Sequence, residues 1–476
     1  MLKVYNTLSR KVEEFKPINP PNVGMYTCGP TIYREVHIGN LRTYLLADFL
    51  RRTLEYNGFI VKHIKNITDV GHMRRPDVSG NEEQIDPVIQ QALKTGKTPQ
   101  EITNYYTDLF LRDEGKLNIK KAMVYSKASE HIGEMIEMIK VLLKKGLAYE
   151  TNGTVYFDVK KFKNYGRLSG NTLAKMDNLL KAVRVSLETD KRDSIDFALW
   201  KKAEKGRLMK WQSPWGEGFP GWHIECSAMS MKYLGHHIDI HTGGEDLIFP
   251  HHEDEIAQSE GATGGKFVNY WVHGGHLLTN EEKMARSKGN VYTVSDIEQK
   301  GFEPLAFRYL TMTVHYKAKM NFTWEALEGA QKALNRLRDE VALFGDPKGD
   351  HIELEQKFLG AINDDLNMPE ALAVVWELLK SGQPGSVKTT SLLKFDKVLG
   401  LGLNKVKSSS RFNRDKAQSL EIPEEIRELA EEREELRQKK RFHLADQLRN
   451  KIKKMGYEIE DSNGKSKITP LARGEQ

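Results

Sequence analysis

Cysteine is scarce in this chain: there are two among 476 residues, Cys28 and Cys226. Two thiols exclude a disulfide framework, although one bridge is allowed by count, and they fit a reducing compartment, the cytoplasm. Long apolar runs are missing too. No stretch of about 18 apolar residues occurs, which argues against a membrane-spanning helix. The opening MLKVYNTLSRKVEEF carries charge early and lacks an apolar segment, so no secretory leader is expected. Neither sign of charge dominates. With 72 Lys and Arg against 66 Asp and Glu, the formal charge is +6, which permits a nucleic-acid partner without identifying one. There is no internal repeat and no strict heptad array, which leaves an ordinary globular chain.

The apolar pattern describes an α/β protein with room for about two to four domains. NVGMY, 22–26, reads as a buried strand entering the turn Cys28-Gly29-Pro30. Leu41, Tyr44, Leu45, Phe49, Leu50 and Leu54 then recur at helical spacing, with Gly58 as the stop. IVKHIKNIT, 60–68, reads as a second strand. Strand, glycine turn, helix and strand make a nucleotide-binding unit with a mainly parallel sheet, whose strand order is not legible. Residues 71–99 read as a polar loop with some helix, 100–149 as helices, and TNGTVYFDV as a strand behind an Asn-Gly turn. A charged, irregular stretch to about residue 210 suggests an inserted subdomain. The pattern resumes at Gly221, with HIDIHTGG, 237–244, as a strand and HHEDEIAQSEGA, 251–262, as a helix. Beyond residue 300 the chain is helical over 324–345 and 353–380, with Pro369 at a helix start and SGQPGSVKTTS as a loop. A linker over 404–420 precedes a charged helical hairpin, 424–455.

Four residues suggest a metal site. On a helix His251 and Glu255 share a face, whereas His252 and Glu253 point elsewhere. With Cys28 and Cys226 they offer two sulfurs, one nitrogen and one oxygen, a set that zinc accepts and that thiolates favour over magnesium or calcium. The alternative stays open: free cysteines are usually small buried apolar groups, and His-x-x-x-Glu occurs in many helices. With no Cys-x-x-Cys hook, such a site would be assembled by the fold and able to keep a position for substrate.

Two loops suit a nucleotide. In His37-Ile38-Gly39-Asn40, between a strand and a helix, Gly39 would admit a base or ribose, the helix end offers amides to phosphate, and His37 adds a donor. The plain alternative is a helix start capped by Asn40. EEKMARSKGN, 281–290, places Lys283, Arg286 and Lys288 beside Ser287, as cations for a polyphosphate or as an ordinary charged surface loop. Neither loop is a Walker A or G-x-G-x-x-G turn. Near the C-terminus Arg437, Lys439, Lys440, Arg441, Arg449, Lys451, Lys453 and Lys454 face only Asp446. This cluster suits an RNA backbone, with a solvated helical face as the alternative.

YTCGPTIY with HIGN, PGWHIECSAM, FPHHEDEIAQ and KMARSKGN, in this order, resemble the cysteinyl-tRNA synthetases, a class I aminoacyl-tRNA synthetase family. KNITDV, DFALWKKA, SPWGEGFPGWH, INDDLNMPEAL and KKRFHLADQLRNKIKKMGYEIED extend the likeness over essentially the whole chain. The resemblance implies a Rossmann-like parallel-sheet catalytic domain in two halves, 1–125 and 213–275, around an inserted connective subdomain, 126–212. A signature-loop and stem-contact region, 276–335, a helical tRNA-binding bundle, 336–410, and a C-terminal anticodon-binding module, 421–476, would follow.

It implies ATP-dependent activation of L-cysteine to cysteinyl-adenylate and transfer to tRNA(Cys), read through the anticodon GCA, in the cytoplasm with no membrane association; the oligomeric state is left open by the sequence, with a monomer favoured. Cys28, Cys226, His251 and Glu255 would hold one Zn2+ that takes the substrate thiolate, and Mg2+ would accompany ATP. The HIGH signature falls on His37, Ile38, Gly39 and Asn40, and KMSKS on Lys283, Met284, Ala285, Arg286 and Ser287. Asn40, Ala285 and Arg286 depart from those signatures; arginine keeps the charge of lysine but not its shape. His37, Asn40, Lys283 and Arg286 are the implied catalytic residues, joined by Gly39 and Ser287 around ATP. Thr68, Trp222 and Asp246 are the implied cysteine pocket, although GHMRR after Val70 replaces the acidic pair of many relatives. Rival readings are an enzyme passing activated cysteine to a small amine, which needs no basic C-terminal module, and a zinc hydrolase using Glu253 or Glu255, which leaves HIGN and KMARSKGN idle. A catalytically silent RNA-binding relative is disfavoured by the retained His37 and loop cations.

Overall fold

Five short segments, NVGMYT, IVKHIKNI, VYSK, IDIHTGG and VNYWVHG, pair into one sheet in the computed structural model of the chain. The structure describes residues 1–71, 86–172, 175, 190–284, 289–406, 424–439, 441–462 and 465–470, with side chains to residue 459. The order is Val268–Gly274, Ile238–Gly244, Asn22–Thr27, Ile60–Ile67, Val124–Lys127, and every pairing is parallel. Such strands are covered on both faces, hence their apolar run: Val23, Met25, Ile64, Ile67, Ile238, Ile240 and Val272 are all buried. The chain runs outward from Asn22–Thr27 to Val124–Lys127, then returns to lay Ile238–Gly244 on the other side of the first strand. Order reverses between these two neighbours. Open parallel sheets bind ligands in the crevice beyond the carboxyl ends at such a switch point.

Helix Ile38–Tyr56 follows the first strand and buries the leucines and aromatics whose spacing predicts it. A second sheet, antiparallel, has the order Ala148–Thr151, Thr154–Phe157, Phe197–Lys202, Gly218–Pro220. Its first turn is the expected Asn-Gly: Asn152 and Gly153 take φ of 53° and 85°, as a two-residue type I′ hairpin requires. Helix Ile132–Lys144 packs Met135, Ile139 and Leu142 into the same core as Phe157 and Phe197 of this sheet. Strand Glu282–Lys283, at the start of the expected cationic loop, pairs with Leu277–Thr279, which pairs in turn with Met320–Phe322. Beyond it lie helices Pro304–Met312, Trp324–Leu343, Ile352–Asn363, Met368–Lys380 and Gly385–Leu399. The chain divides into two units, Met1–Asn404 and Lys405–Gln476. In the second, helices Glu424–Gln438 and Phe442–Lys454 close on Ile426, Leu429 and Ile452. Among the described residues no helix is long and apolar enough to cross a membrane.

Three segments depart from the sequence reading. Val124–Lys127, expected among helices, is an edge strand: four residues are too few to show alternation, and the ladder with Ile60–Ile67 supplies its stability. SGQPGSVKTTS, expected as a loop, gives its second half to helix Gly385–Leu399. The hydroxyls of Thr389 and Thr390 donate to the carbonyls of Gly385 and Ser386 one turn back, which makes these residues compatible with the helix. A ribbon of strands Tyr457–Ser462 and Lys465–Pro470 follows the C-terminal helical hairpin, where charged residues hide the alternation.

Helix Ile38–Tyr56 is anchored at its middle by a buried carboxylate. Asp48 pairs with Arg52 and with Arg308, each at 2.7 Å, and accepts the Lys120 N–H at 2.8 Å. Arg308 also donates to the carbonyls of Leu399 at 2.6 Å and Leu117 at 3.0 Å. Burial pushes the Asp48 carboxyl up, but Arg308 and Arg52 outweigh it and leave it below its ordinary value. An unfolded Asp titrates near ~3.9, so this stabilisation is present above that pH and is lost as pH falls through the lower folded value. Replacing Asp48 by Asn strips two buried guanidinium groups of their counter-charge. A loss of about 3–5 kcal/mol is expected, read from the urea midpoint of the full chain. An unmoved midpoint would show that the pair carries no net stability.

Candidate metal centre and nucleotide crevice

The carboxyl end of the first strand sets the site. Cys28 lies one residue past Asn22–Thr27, and its N–H reaches the Thr242 carbonyl at 3.2 Å, prolonging the sheet ladder. The chain then turns sharply at Gly29, whose N–H donates to Asn66 Oδ1 at 2.7 Å. A Cβ there would collide with the Asn66 carbonyl oxygen, so only glycine fits. Cys226 stands on helix Trp222–Leu234, and Glu255 in the first turn of helix Glu253–Thr263.

Three of the four expected donors, Cys28, His251 and Glu255, fall in one group of mutually close ligand atoms, and Cys226 stands outside that group, beside Cys28. Cys28 Sγ lies 3.7 Å from Cys226 Sγ and 3.6 Å from Glu255 Oε1. Glu255 Oε1 is 3.0 Å from His251 Nε2, and all four side chains are buried. Tetrahedral bonds of ~2.3 Å to sulfur put two thiolates about 3.8 Å apart. The thiol pair already stands at that spacing, so the donor set is compatible with zinc.

His252 does not point elsewhere, as the helical reading had it. Its Nε2 lies 3.3 Å from Cys28 Sγ, and Cys28, His251, His252 and Glu255 form a cluster whose ligand atoms all fall within 4.8 Å of one another. Ile248–His252 is a π-helical turn interrupted at Phe249, with φ −140° and ψ 130°, so α-helical spacing fails there. A histidine three residues before a glutamate also shares its helical face, the signal that was overlooked. His252 Nδ1 is 2.7 Å from His273 Nε2. Burial, then the neighbouring His241 and His273, hold His252 well below its usual value and therefore neutral. Glu253 does turn away, accepting N–H bonds from Gly166 at 2.9 Å and Ser169 at 2.8 Å.

Charge in the cluster is partitioned by proximity. Burial pushes the Glu255 carboxyl up, but His241, 3.0 Å from Oε2, and His251 outweigh burial and hold it at about 2. Burial pulls His251 down, yet its hydrogen bonds with Cys226 and Glu255 raise it to about 10. Burial and the Cys226 sulfur drive the Cys28 thiol upward. Cys226 moves the opposite way, because hydrogen bonds from Cys28 and His251 outweigh its burial. One sulfur is thus the easier thiolate, set against a protonated imidazole.

Two of the three residues implied by resemblance for the amino-acid pocket, Trp222 and Thr68, touch the donors or their immediate neighbours. The Trp222 ring packs on His251 with centroids 4.3 Å apart. Thr68 Oγ1 donates to Glu225 Oε2 at 2.9 Å, next to Cys226, and accepts from Asn66 Nδ2 at 3.1 Å. Asp246 is exposed in the short turn Glu245–Leu247, its carboxylate filling the space that any side chain at Gly244 would need.

The second loop pair is also joined. Helix Ile38–Tyr56 is capped by His37 rather than by Asn40, because it begins at Ile38; His37 Nδ1 accepts the Asn40 N–H at 3.2 Å. A Cβ on Gly39 would come within 3.0 Å of His37 Nδ1 and 3.5 Å of Met284 Sδ. The Ile38 N–H donates to the Tyr292 carbonyl at 2.9 Å, tying the helix start to the chain just beyond the cationic loop. Lys283 is exposed, and its carbonyl accepts from Asn290 Nδ2 at 3.3 Å. Arg286, Ser287 and Lys288 lie outside the described residues, as does Lys440. Of the C-terminal cations, Arg441, Arg449, Lys451, Lys453 and Lys454 are exposed, Arg437 is half-buried, and exposed Lys439 pairs with Glu435 at 3.1 Å.

Residues 14–332 match the family described as tRNA synthetases class I (C) catalytic domain. The chain is 42% identical to cysteine–tRNA ligase 1 of Burkholderia lata, over 99% of its own length and 98% of that protein. It is 41% identical to cysteine–tRNA ligase of Treponema denticola, over 98% and 99% of the two lengths. Among solved structures, Mycobacterium tuberculosis methionyl-tRNA synthetase in complex with methionyl-adenylate superimposes with a TM-score of 0.57 at 14% identity, covering 81% of this chain and 93% of that one. At that identity the likeness is one of fold. For the cluster itself, Cys226→Ser is expected to weaken zinc retention more than about tenfold, beyond the cost of even an outer partner. The measure is metal content after dialysis against a chelator; full occupancy in the variant would remove Cys226 from the donor set.

Proposed function

The chain belongs to the cysteine–tRNA ligase family of class I tRNA synthetases, and from that membership we infer that it activates L-cysteine with ATP and passes it to tRNA(Cys). The products are Cys-tRNA(Cys), AMP and pyrophosphate. The observation that carries this reading is a convergence at the carboxyl ends of the central strands: a buried Cys-His-Glu cluster with Cys226 3.7 Å from Cys28, and the start of a helix bonded to the chain just beyond the cationic loop.

Cys28, Cys226, His251 and Glu255 would hold one zinc ion, which when bound supplies a soft Lewis acid that prefers a thiolate to a hydroxyl. Pocket size alone separates cysteine from serine by only ~1–3 kcal/mol, so sulfur affinity is the stronger discriminator. Trp222 would wall the amino-acid pocket, Thr68 would line it, and exposed Asp246 would receive the substrate ammonium. The carboxylate of cysteine then attacks the α-phosphorus of ATP, giving cysteinyl-adenylate and pyrophosphate. His37 accepts at Nδ1, which puts its ring proton on Nε2 as a donor toward phosphate. Gly39 and Asn40 would lie along the nucleotide, and Lys283, Arg286 and Ser287 would meet the charge developing on the polyphosphate, with Mg2+ accompanying ATP. In the second step a hydroxyl of the tRNA's 3′-terminal adenosine attacks the activated carbonyl and AMP departs. No enzyme nucleophile is needed. Alignment supplies the rate.

The expected boundaries assign 1–125 and 213–275 to catalysis, 126–212 to an insert, 276–335 to the signature loop and acceptor stem, 336–410 to tRNA and 421–476 to the anticodon. Arg437, Lys439, Lys440, Arg441, Arg449, Lys451, Lys453 and Lys454 would meet RNA phosphates, so tRNA binding should weaken steeply with salt. A monomer acting in the cytoplasm fits this reading.

Charging of tRNA(Cys) with radiolabelled cysteine, with serine and small amine acceptors in parallel arms, is expected to give cysteine-specific aminoacyl-tRNA. Transfer to a small amine alone would defeat the ligase assignment. Lys283→Ala is expected to slow cysteine-dependent ATP–pyrophosphate exchange by about a hundredfold or more, on the scale of a lost charge-stabilising donor, with little change in free-cysteine affinity. An unchanged exchange rate would take Lys283 out of the reaction.

A further inference from the structure

A cavity of about 600 Å3 opens beside the N-terminus of helix Ile38–Tyr56, between segment 31–37, helices Pro87–Thr95 and Pro99–Lys116, and segment 289–293. None of the four metal donors lines it. Of the residues assigned above to ATP, His37 is the one described as lining it. Its volume lies within the ~300–1,000 Å3 of small-molecule sites. Apart from His37, the described lining carries one cation, Arg34, and one anion, Glu35, and is otherwise largely aromatic, amide-bearing and apolar.

These walls suit nucleobases. Tyr105 and Tyr106 stand edge to face, ring centroids 5.1 Å apart at 76°, and form two walls nearly at right angles. Tyr33 is covered on one face by the Arg34 guanidinium, 4.8 Å from its centroid. Lys97 Nζ lies 5.6 Å from the Tyr105 centroid, and Gln91 Nε2 donates to the Tyr106 hydroxyl at 3.5 Å. Aromatic faces, a guanidinium plane and side-chain amides are what unstacked bases bind. Position agrees with chemistry. His37 caps the signature helix, lines the cavity and bridges to Thr293, another lining residue, so the space adjoins the expected adenylate site.

We propose that this cavity receives the unpaired 3′-terminal nucleotides of the tRNA, with a base stacked on Tyr105 in the corner it makes with Tyr106. The proposal rests on the ligase reading above and adds where the acceptor end is held. Tyr105 is 52% exposed, so its ring can be removed without opening a core.

The test uses the full-length enzyme as Tyr105→Ala and Tyr105→Phe. The alanine variant is expected to raise KM for tRNA(Cys) in charging by roughly five- to a hundredfold, the span for one lost stacked base, and the phenylalanine variant to restore it. In direct binding, tRNA trimmed of its 3′-terminal nucleotides should bind parent and Tyr105→Ala alike, because the contact is already gone. An unchanged KM, or an equal loss on trimmed and intact tRNA, would overturn the assignment. So would a parallel fall in ATP–pyrophosphate exchange without tRNA, which would give the cavity to ATP. A parent enzyme that charges no tRNA at all would bring down the ligase reading itself, and this site with it.

Discussion

A carboxylate sealed from water governs the layout of the site. Glu255 is wholly buried, and an isolated charge at such depth is too costly to keep. The fold answers with imidazoles: His241 on one oxygen and His251 on the other, each at 3.0 Å. His241 is itself stacked on Trp271, centroids 4.7 Å apart at 19°, so the neighbouring strand fixes the angle of the clamp. His252 and His273 continue the row to Thr7. Positive charge is required where these groups meet, and either a proton on His251 or a dication can supply it. Metal and proton therefore compete for the same place.

The same helix that begins the nucleotide crevice is held from the other side by buried arginines. Arg42 donates to the carbonyls of Gly275 at 2.5 Å and Ala318 at 2.7 Å, fastening the helix to the segments that flank Leu277–Thr279 and Met320–Phe322. Arg308 fastens its middle to the end of helix Gly385–Leu399. Both guanidinium groups are lowered to about 10 by burial; Arg42 spends its donors on main-chain carbonyls, whereas Arg308 divides its own between the Asp48 carboxylate and the carbonyls of Leu399 and Leu117. The helical region and the reactive edge of the sheet thus share one rigid rod.

Much of this was readable from residue order, and the failures have physical causes. Scarcity made the two cysteines conspicuous, and the 3.6-residue phase from Leu41 to Leu54 announced the signature helix. His251 and Glu255 were found because one helix turn joins them. His252 was lost to the same reasoning, since an irregular turn replaced the ideal helix at Phe249. His223, His241 and His273 come from separate elements, two of them strands whose adjacency exists only after the sheet has formed. Val124–Lys127 was too short to show alternation. Thr68, Trp222 and Asp246 came from the resemblance, and composition gave no hint of them. The tyrosine-lined cavity was invisible for a similar reason: Tyr33 and the Tyr105-Tyr106 pair belong to segments that meet only in space.

At Gly29 the peptide passes so near the Asn66 carbonyl that even one methyl group has no place to go. The neighbouring thiol inherits that confinement, because the same bend sets the direction in which it leaves the sheet. A single hydrogen at position 29 is thus the condition on which the thiol's bearing rests: any Cβ there would have to push the Asn66 carbonyl, and with it the adjoining strand, out of place.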